Sequence, residues 1–205
     1  LYGTFTAITF DQAEETLFIP FKDMHEESPW FKNYYKMLDH HEKELGIELY
    51  DVAGTFVSNQ LKKLVLYPKG PDKRKLRGRT RFLYAIDEIG WFLGVEGQVK
   101  IDADEIDHAL ARSMTTIRQA AMYKRVELGD YNSPMGFGFN ISSPSHANAK
   151  IMRLVRDGQT DPTKKVFHLP TWLAHPNITR ASLDPEFKRN PAAAEVHRDP
   201  RTGPA

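Results

Sequence analysis

The 205-residue chain contains no cysteine. Without a thiol there can be no disulfide, no cysteine nucleophile and no thiolate-ligated zinc, a pattern that fits a reducing compartment. Long apolar runs are missing too: none approaches the roughly 20 residues that cross a bilayer, and the N-terminus lacks the charged and apolar regions of a signal peptide. The expectation is a soluble, intracellular protein with no membrane partner. Charge of one sign is not in excess, since 28 Lys and Arg face 27 Asp and Glu for a net +1 at pH 7. Overall balance therefore does not call for nucleic acid. An initiator methionine is also lacking, and the chain closes on Asp199-Pro200-Arg201-Thr202-Gly203-Pro204-Ala205, a linker-like composition, so an internal fragment of a longer polypeptide is expected. What remains is ordinary, with 40% hydrophobic and 27% charged residues and length enough for one large α/β domain.

Within that average composition, Phe82-Leu83-Tyr84-Ala85-Ile86-Asp87-Glu88 stands out as a short apolar run ending in two carboxylates. A continuous apolar run reads as a buried parallel strand, and open α/β sheets bind ligands at the carboxyl ends of their strands. Neighbouring residues on a strand point to opposite faces, so Asp87 and Glu88 can divide two tasks, one holding a metal and the other orienting water. An apolar strand that ends in a solvated acidic turn is the other reading. Just before this run, Lys62, Lys63, Lys69, Lys73, Arg74, Lys75, Arg77, Arg79 and Arg81 crowd one short segment. Such a patch can meet phosphate, or it can be a solvated basic loop.

Along the chain, Thr4 to Phe10 reads as a strand, with Asp11 as the N-cap of a helix carrying Ala13, Leu17, Phe18 and Phe21. Ser28-Pro29 opens a second helix with Phe31, Tyr34, Tyr35 and Leu38 on its apolar stripe. Thr55 to Ser58 and Leu61 to Tyr67 read as a hairpin-like insertion. Asp102-Ala103-Asp104-Glu105 starts a long helix whose Ile106, Leu110, Met114, Ile117 and Ala121 form a core stripe. Gly136 to Ile141 is another apolar strand, ending in Ser142-Ser143-Pro144. A helix over 147–156 and a strand over 165–169 come next, and the region after Thr171 reads as Pro-rich and irregular.

In this order, the features resemble the large terminase subunit of tailed bacteriophages, which packages DNA into preformed capsids. Thr9-Phe10-Asp11-Gln12-Ala13 and Ser28-Pro29 look like the segment after that family's phosphate-binding loop. Leu76-Arg77-Gly78 and the run ending in Asp87-Glu88 look like its Arg-Gly element and Walker B strand. Ile141-Ser142-Ser143-Pro144 resembles its coupling motif, and Thr171-Trp172 through Asn190-Pro191 resembles the end of its ATPase domain. The resemblance implies a P-loop NTPase-like fold of the ASCE/RecA-like kind, a mostly parallel sheet flanked by helices and incomplete at the N-terminus. It divides the chain into an ATPase domain over 1–175 and a linker over 176–205. It implies ATP and Mg2+ as cofactors, with Asp87 on the metal, Glu88 as the catalytic residue, and Ser142 and Ser143 sensing the nucleotide. Arg77 becomes a candidate for contact with phosphate or a neighbouring subunit, and Lys73, Arg74, Lys75 and Arg79 candidates for DNA contact. The implied partners are double-stranded DNA, a small terminase subunit, the portal of the procapsid and further copies in a homo-oligomeric ring, in the host cytoplasm. A helicase-like ATPase and a non-catalytic α/β binding module stay open beside it. Independently of the resemblance, Ser142 or Ser143 can equally cap the helix near Ala147.

One departure limits the resemblance. The family's phosphate-binding loop ends in Gly-Lys-Ser or Gly-Lys-Thr, and none of the thirteen glycines here is followed by lysine. Without that lysine and its N–H cradle, this segment is expected to hydrolyse ATP poorly or not at all. Truncation upstream of Leu1 is the expected cause, with the family's nuclease residues beyond Ala205. Elsewhere, His40, His41 and Glu44 read as a charged helix face, not a metal site. His168 and His175 read as structural histidines. Trp30, Trp91 and Trp172 read as packing residues.

Overall fold

A computed structural model describes residues 2–34, 37–38, 45–48, 63–72, 74–92, 102–131, 135–143, 149–167, 169, 173 and 177–189. The chain divides into two compact units, Leu1–Ser143 and Pro144–Ala205.

The first unit is built on a six-stranded sheet in the order β2-β3-β4-β1-β5-β6, where β1 is Tyr2–Thr6, β2 Met37–Leu38, β3 Leu45–Glu48, β4 Lys63–Lys69, β5 Arg81–Asp87 and β6 Phe137–Ile141. Strands β4, β1, β5 and β6 run parallel, while β2 and β3 pair antiparallel at the β4 edge. The mostly parallel α/β sheet expected from the sequence is thus present. β5 and β6 are immediate neighbours in register, with Asp87 opposite Ile141.

On one face, Phe5, Leu66 and Ala85 meet Phe18, with Leu17, Phe21, Leu64 and Leu83 packed around them. The helical layer that supplies Phe18 has three pieces: α1 (Phe10–Ala13), a π-helical turn (Glu14–Phe18) and α2 (Ile19–Glu27). The π turn has a visible cause. Ala13 and Phe18 are both buried yet five residues apart, a spacing that π-type i→i+5 pairing brings to one face. The opposite face carries α4 (Ala103–Ser113), from which Asp107 accepts a hydrogen bond at 3.2 Å from the buried Tyr84 hydroxyl of β5. Burial, then the Asp107 charge beside it, pushes the Tyr84 phenol well above its ordinary range.

Several local expectations change. β1 ends at Thr6, and Thr9 rather than Asp11 caps α1, its extended backbone letting Oγ1 accept the Gln12 N–H at 3.1 Å. Helix α3 is short, Pro29–Tyr34, and Leu38 lies in β2. The hairpin-like element is β3 with β4, and residues 55–58 lie outside the described residues. The long helix breaks at Met114 into α4 and α5 (Thr115–Leu128), although Ile106, Leu110, Met114 and Ala121 are buried as its stripe predicts. Asp102 caps α4 through Oδ1, which accepts the Asp104 and Glu105 N–H groups.

In the second unit, α6 is Lys150–Thr160. Residues 164–167 form no strand, and Phe167 is exposed. The segment expected to be irregular contains helix α7, Arg180–Arg189, which continues through Pro185. Its start is fixed by a reciprocal cap: Ser182 donates its N–H to Thr179 Oγ1 and Thr179 its N–H to Ser182 Oγ, each at 3.2 Å.

Candidate functional site

The parallel pairing of β5 and β6 brings their carboxyl ends together, and with them the Asp-Glu and Ser-Ser pairs. Side-chain alternation along β5 places Asp87 on the same face as Leu83 and Ala85, toward the helical layer holding Phe18. There Thr16 donates from Oγ1 to Asp87 Oδ2 at 2.9 Å. The other carboxylate oxygen, Oδ1, accepts the Glu88 N–H at 3.0 Å.

Glu88 turns the other way. Its backbone is left-handed, φ 54° and ψ 36°, the one non-glycine residue with positive φ among the described residues. For a side chain with a Cβ that conformation costs about 1–2 kcal/mol, so the surroundings must hold it. The Asp87 cap on its N–H is one restraint, and the Trp91 N–H bond to its carbonyl at 2.8 Å is another. Thus placed, Glu88 Oε2 lies within hydrogen-bond distance of Ser143 Oγ at 3.4 Å and of Ser142 Oγ at 3.2 Å, the one proton of Ser142 having the Ser143 carbonyl at 2.7 Å as a second, nearer acceptor. Ser142 Oγ also accepts the Gly90 N–H at 3.1 Å, and Ser143 Oγ accepts Trp91 Nε1–H at 3.2 Å. Neither serine caps α6, whose N-cap is Ala149 with no side-chain cap bond.

Chemically, the arrangement sets two carboxylates side by side in different settings. Asp87 is held by one donor on each oxygen and keeps further lone pairs free. Glu88 reaches a pair of hydroxyls just past the end of the neighbouring strand, so movement of one strand tip relative to the other changes its contacts. Both acids are half-buried.

Arg77 is not part of this cluster. It lies before β5, at the opposite end of that strand from Asp87, roughly 20 Å away at the usual rise per residue. There an open cleft of about 610 Å3 is lined by Arg77, Arg79, Arg112, His108 and Glu105 among others. The basic segment also divides. Lys73 lies outside the described residues, whereas Arg74, Lys75 and Arg77 are exposed. The Arg74 backbone N–H, with the charge of its side chain, holds Asp72 below the usual carboxylate range. Arg79 lies over the Tyr2 and Tyr67 rings at 4.7 and 5.1 Å. Arg81 does not belong to the exposed patch. It is fully buried and donates to Thr4 Oγ1 at 2.7 Å, Tyr67 Oη at 3.3 Å and the Arg79 carbonyl at 3.3 Å.

Two residues at the site were not anticipated. Thr16 carried no motif, and only the five-residue spacing of Ala13 and Phe18 hinted that the helix is wound to present it. Trp91 is about half exposed and bonded to Ser143, not packed in the core, because it comes immediately after the turn that Glu88 makes. Trp30 is likewise exposed, edge-on to Phe31. Residues 40, 41, 44, 168, 172 and 175 lie outside the described residues.

No family model matches the chain, and no curated protein matches it. Solved structures do. The Thermus phage P74-26 large terminase ATPase domain superposes with a TM-score of 0.59 and 19% identity, over 95% of this chain and 73% of that one. The chain has the fold of a large terminase ATPase domain. A point mutant of the same Thermus phage domain, with one arginine replaced by alanine, gives 0.59 and 17% identity, over 96% and 74% of the two chains. The large terminase from a second, thermophilic bacteriophage gives 0.52 and 13%, over 91% of this chain and 36% of that one. At these identities the likeness is one of fold. In the terminase-like frame, the two acids stand at the carboxyl end of the parallel sheet, where α/β folds place their chemistry. Among the described residues no helix is long and apolar enough to cross a membrane.

Proposed function

We propose that this chain is the ATP-hydrolysing portion of a viral DNA-packaging motor of the large-terminase kind. The observation that carries the reading is the hydrogen bonding of Glu88 to Ser142 and Ser143 across the ends of adjacent parallel strands. A catalytic acid in contact with hydroxyls just past the end of the next strand is what a motor needs to register whether a γ-phosphate is present.

In this reading β5 is the Walker B strand. Asp87 fits Mg2+ in donor type, a hard carboxylate oriented by one hydrogen bond on each oxygen. Among the described residues no group of three or more ligating side chains converges. The ion would therefore complete its shell with water and nucleotide oxygens, as Mg2+ habitually does. When bound, it would neutralise charge on the phosphates. Glu88 orients the attacking water and accepts its proton, while Ser142 and Ser143 hold Glu88 until nucleotide occupies the site. Their release couples hydrolysis to movement of β6 and the segment after it. The phosphate-gripping loop is not encoded in the 205 residues, so we assign it to a segment outside them, and the chain alone is expected to turn over ATP at background rate.

The exposed Arg74, Lys75, Arg77 and Arg79 suit contact with DNA phosphates, which bind any sequence alike. The remaining partners of such a motor would be a small terminase subunit, the portal of the procapsid and further copies in a ring, in the host cytoplasm. The test is a polypeptide in which a phosphate-binding loop precedes this chain. It should hydrolyse ATP, and Glu88→Gln should lower turnover by about 10²-fold or more. Turnover that survives Glu88→Gln would overturn the role of that residue.

A further inference from the structure

Thr16 is remote from Asp87 in sequence and belongs to no motif, yet its hydroxyl lies within hydrogen-bond distance of two acceptors. These are Asp87 Oδ2 at 2.9 Å and the Gln12 carbonyl at 2.8 Å. The hydroxyl has one proton to give. Donation to the carbonyl one turn back is the ordinary habit of threonine in a helix. Donation to an ionised carboxylate is the stronger bond of the two. What brings the second acceptor within reach is the π turn over Glu14–Phe18. That turn begins just after the buried Ala13 and ends at the buried Phe18, while Thr16 within it is exposed with its hydroxyl at the end of β5. Isolated π turns are uncommon and concentrate where a side chain must be aimed.

The Glu88 N–H already fixes Asp87 Oδ1. With Thr16 on Oδ2, the carboxylate is restrained at both oxygens and cannot rotate about its terminal bond without losing a donor. We propose that Thr16 is a positioning residue for Asp87, the π turn delivering its hydroxyl so that the carboxylate is oriented before a divalent cation arrives. The proposal rests on the reading of Asp87 as the cation-holding acid. It adds to that reading a specific partner from a different element, with one proton that can pass back to Gln12 when the cation takes up the charge.

The test uses the whole 205-residue chain and two NMR measurements. First, without any cation, the 13C resonance of the Asp87 carboxyl should move on Thr16→Val and return with Thr16→Ser, which restores the hydroxyl. An unmoved resonance overturns the hydrogen bond and the proposal with it. Second, Mn2+ alone is titrated while paramagnetic broadening of the Glu88 and Ser142 amide signals is followed. Thr16→Val should weaken Mn2+ by about tenfold, the lower range for loss of an orienting partner, and Thr16→Ser should restore it. Asp87→Asn should abolish the site-centred broadening. If Asp87→Asn abolishes it but Thr16→Val does not alter the titration, positioning by Thr16 is refuted and the reading of Asp87 stands. If Asp87→Asn leaves the broadening unchanged, the reading of Asp87 falls and takes the proposal with it. Thr16 is exposed, so thermal unfolding of the Val and Ser variants should match the parent chain.

Discussion

Gly138, the second residue of β6, is a position where one added carbon should do clear damage. A Cβ built there stands 2.4 Å from Tyr84 Cζ and 2.5 Å from its hydroxyl oxygen. Tyr84 cannot swing aside freely, because its ring is buried and its hydroxyl is tied to Asp107 on α4. Forcing a methyl against this buried ring costs about 1–3 kcal/mol. Displacing the phenol from the carboxylate adds about 1.5–3 kcal/mol, less whatever relaxation serves both. Gly138→Ala should therefore destabilise the fold by about 3 kcal/mol, a large share of the roughly 5–15 kcal/mol that holds a typical domain. In urea unfolding followed by circular dichroism the midpoint should fall by about 1–2 M. The clash is specific to the tyrosine. In a Tyr84→Leu background, which lacks Cζ and the hydroxyl, Gly138→Ala should cost no more than about 0.5 kcal/mol. An equal cost in both backgrounds, or a midpoint unmoved in the first, would refute the packing argument.

Other outcomes rest on the same geometry. Because burial raises the Tyr84 phenol, the folded chain keeps that proton when the unfolded chain has lost it. Its stabilising contribution is full below pH 10 and is lost as pH rises above that, at up to about 1.4 kcal/mol per pH unit. Tyr84→Phe should remove that alkaline slope from unfolding curves. At position 88, glycine should be more stable than alanine by about 1 kcal/mol in thermal or urea unfolding, since both lack the carboxylate and only glycine adopts φ 54° without strain. Arg81→Lys should lower stability by about 1.5–3 kcal/mol in the same assay, because one ammonium cannot reach the three acceptors that the buried guanidinium holds. If the exposed arginines contact DNA, removing the charge of Arg77 or Arg79 should reduce the salt slope of duplex binding by about one per residue whatever the sequence. A sequence-dependent loss would count against backbone contact.

The acid pair was legible because a parallel strand and its ligand-bearing end leave a local trace: an apolar run, then Asp87 and Glu88. The hydroxyls were legible for the same reason, Ser142 and Ser143 closing a second apolar run. That these two strands are neighbours is a pairing more than fifty residues apart in sequence, which no local pattern encodes. What stayed hidden depends on contacts that no local spacing encodes. Arg81 looked like its basic neighbours until the sheet closed over it between Thr4 and Tyr67. Trp91 looked like core until the left-handed turn at Glu88 carried it outward. The helix over Arg180–Arg189 was obscured by Pro185, although the Thr179 and Ser182 hydroxyls carried its start signal.

β1 occupies the middle of the sheet, and its pairing has a bearing on how the chain reaches that sheet. Tyr2 pairs with Val65 on one side and Arg81 on the other, so both ladders of the central strand join residues more than sixty positions apart. A strand that pairs only at such range waits through synthesis with its N–H and C=O rows unmatched, and sheets of this kind form slowly. The order of events is set accordingly: β3 with β4 can form by local closure, but the platform beneath Asp87 exists only once β5 has left the ribosome and β1 has been captured between two late partners. A substitution that weakens Phe5 or Leu66 should show itself first as a slower refolding rate and a greater tendency to aggregate, before any change in the native arrangement at the sheet's end.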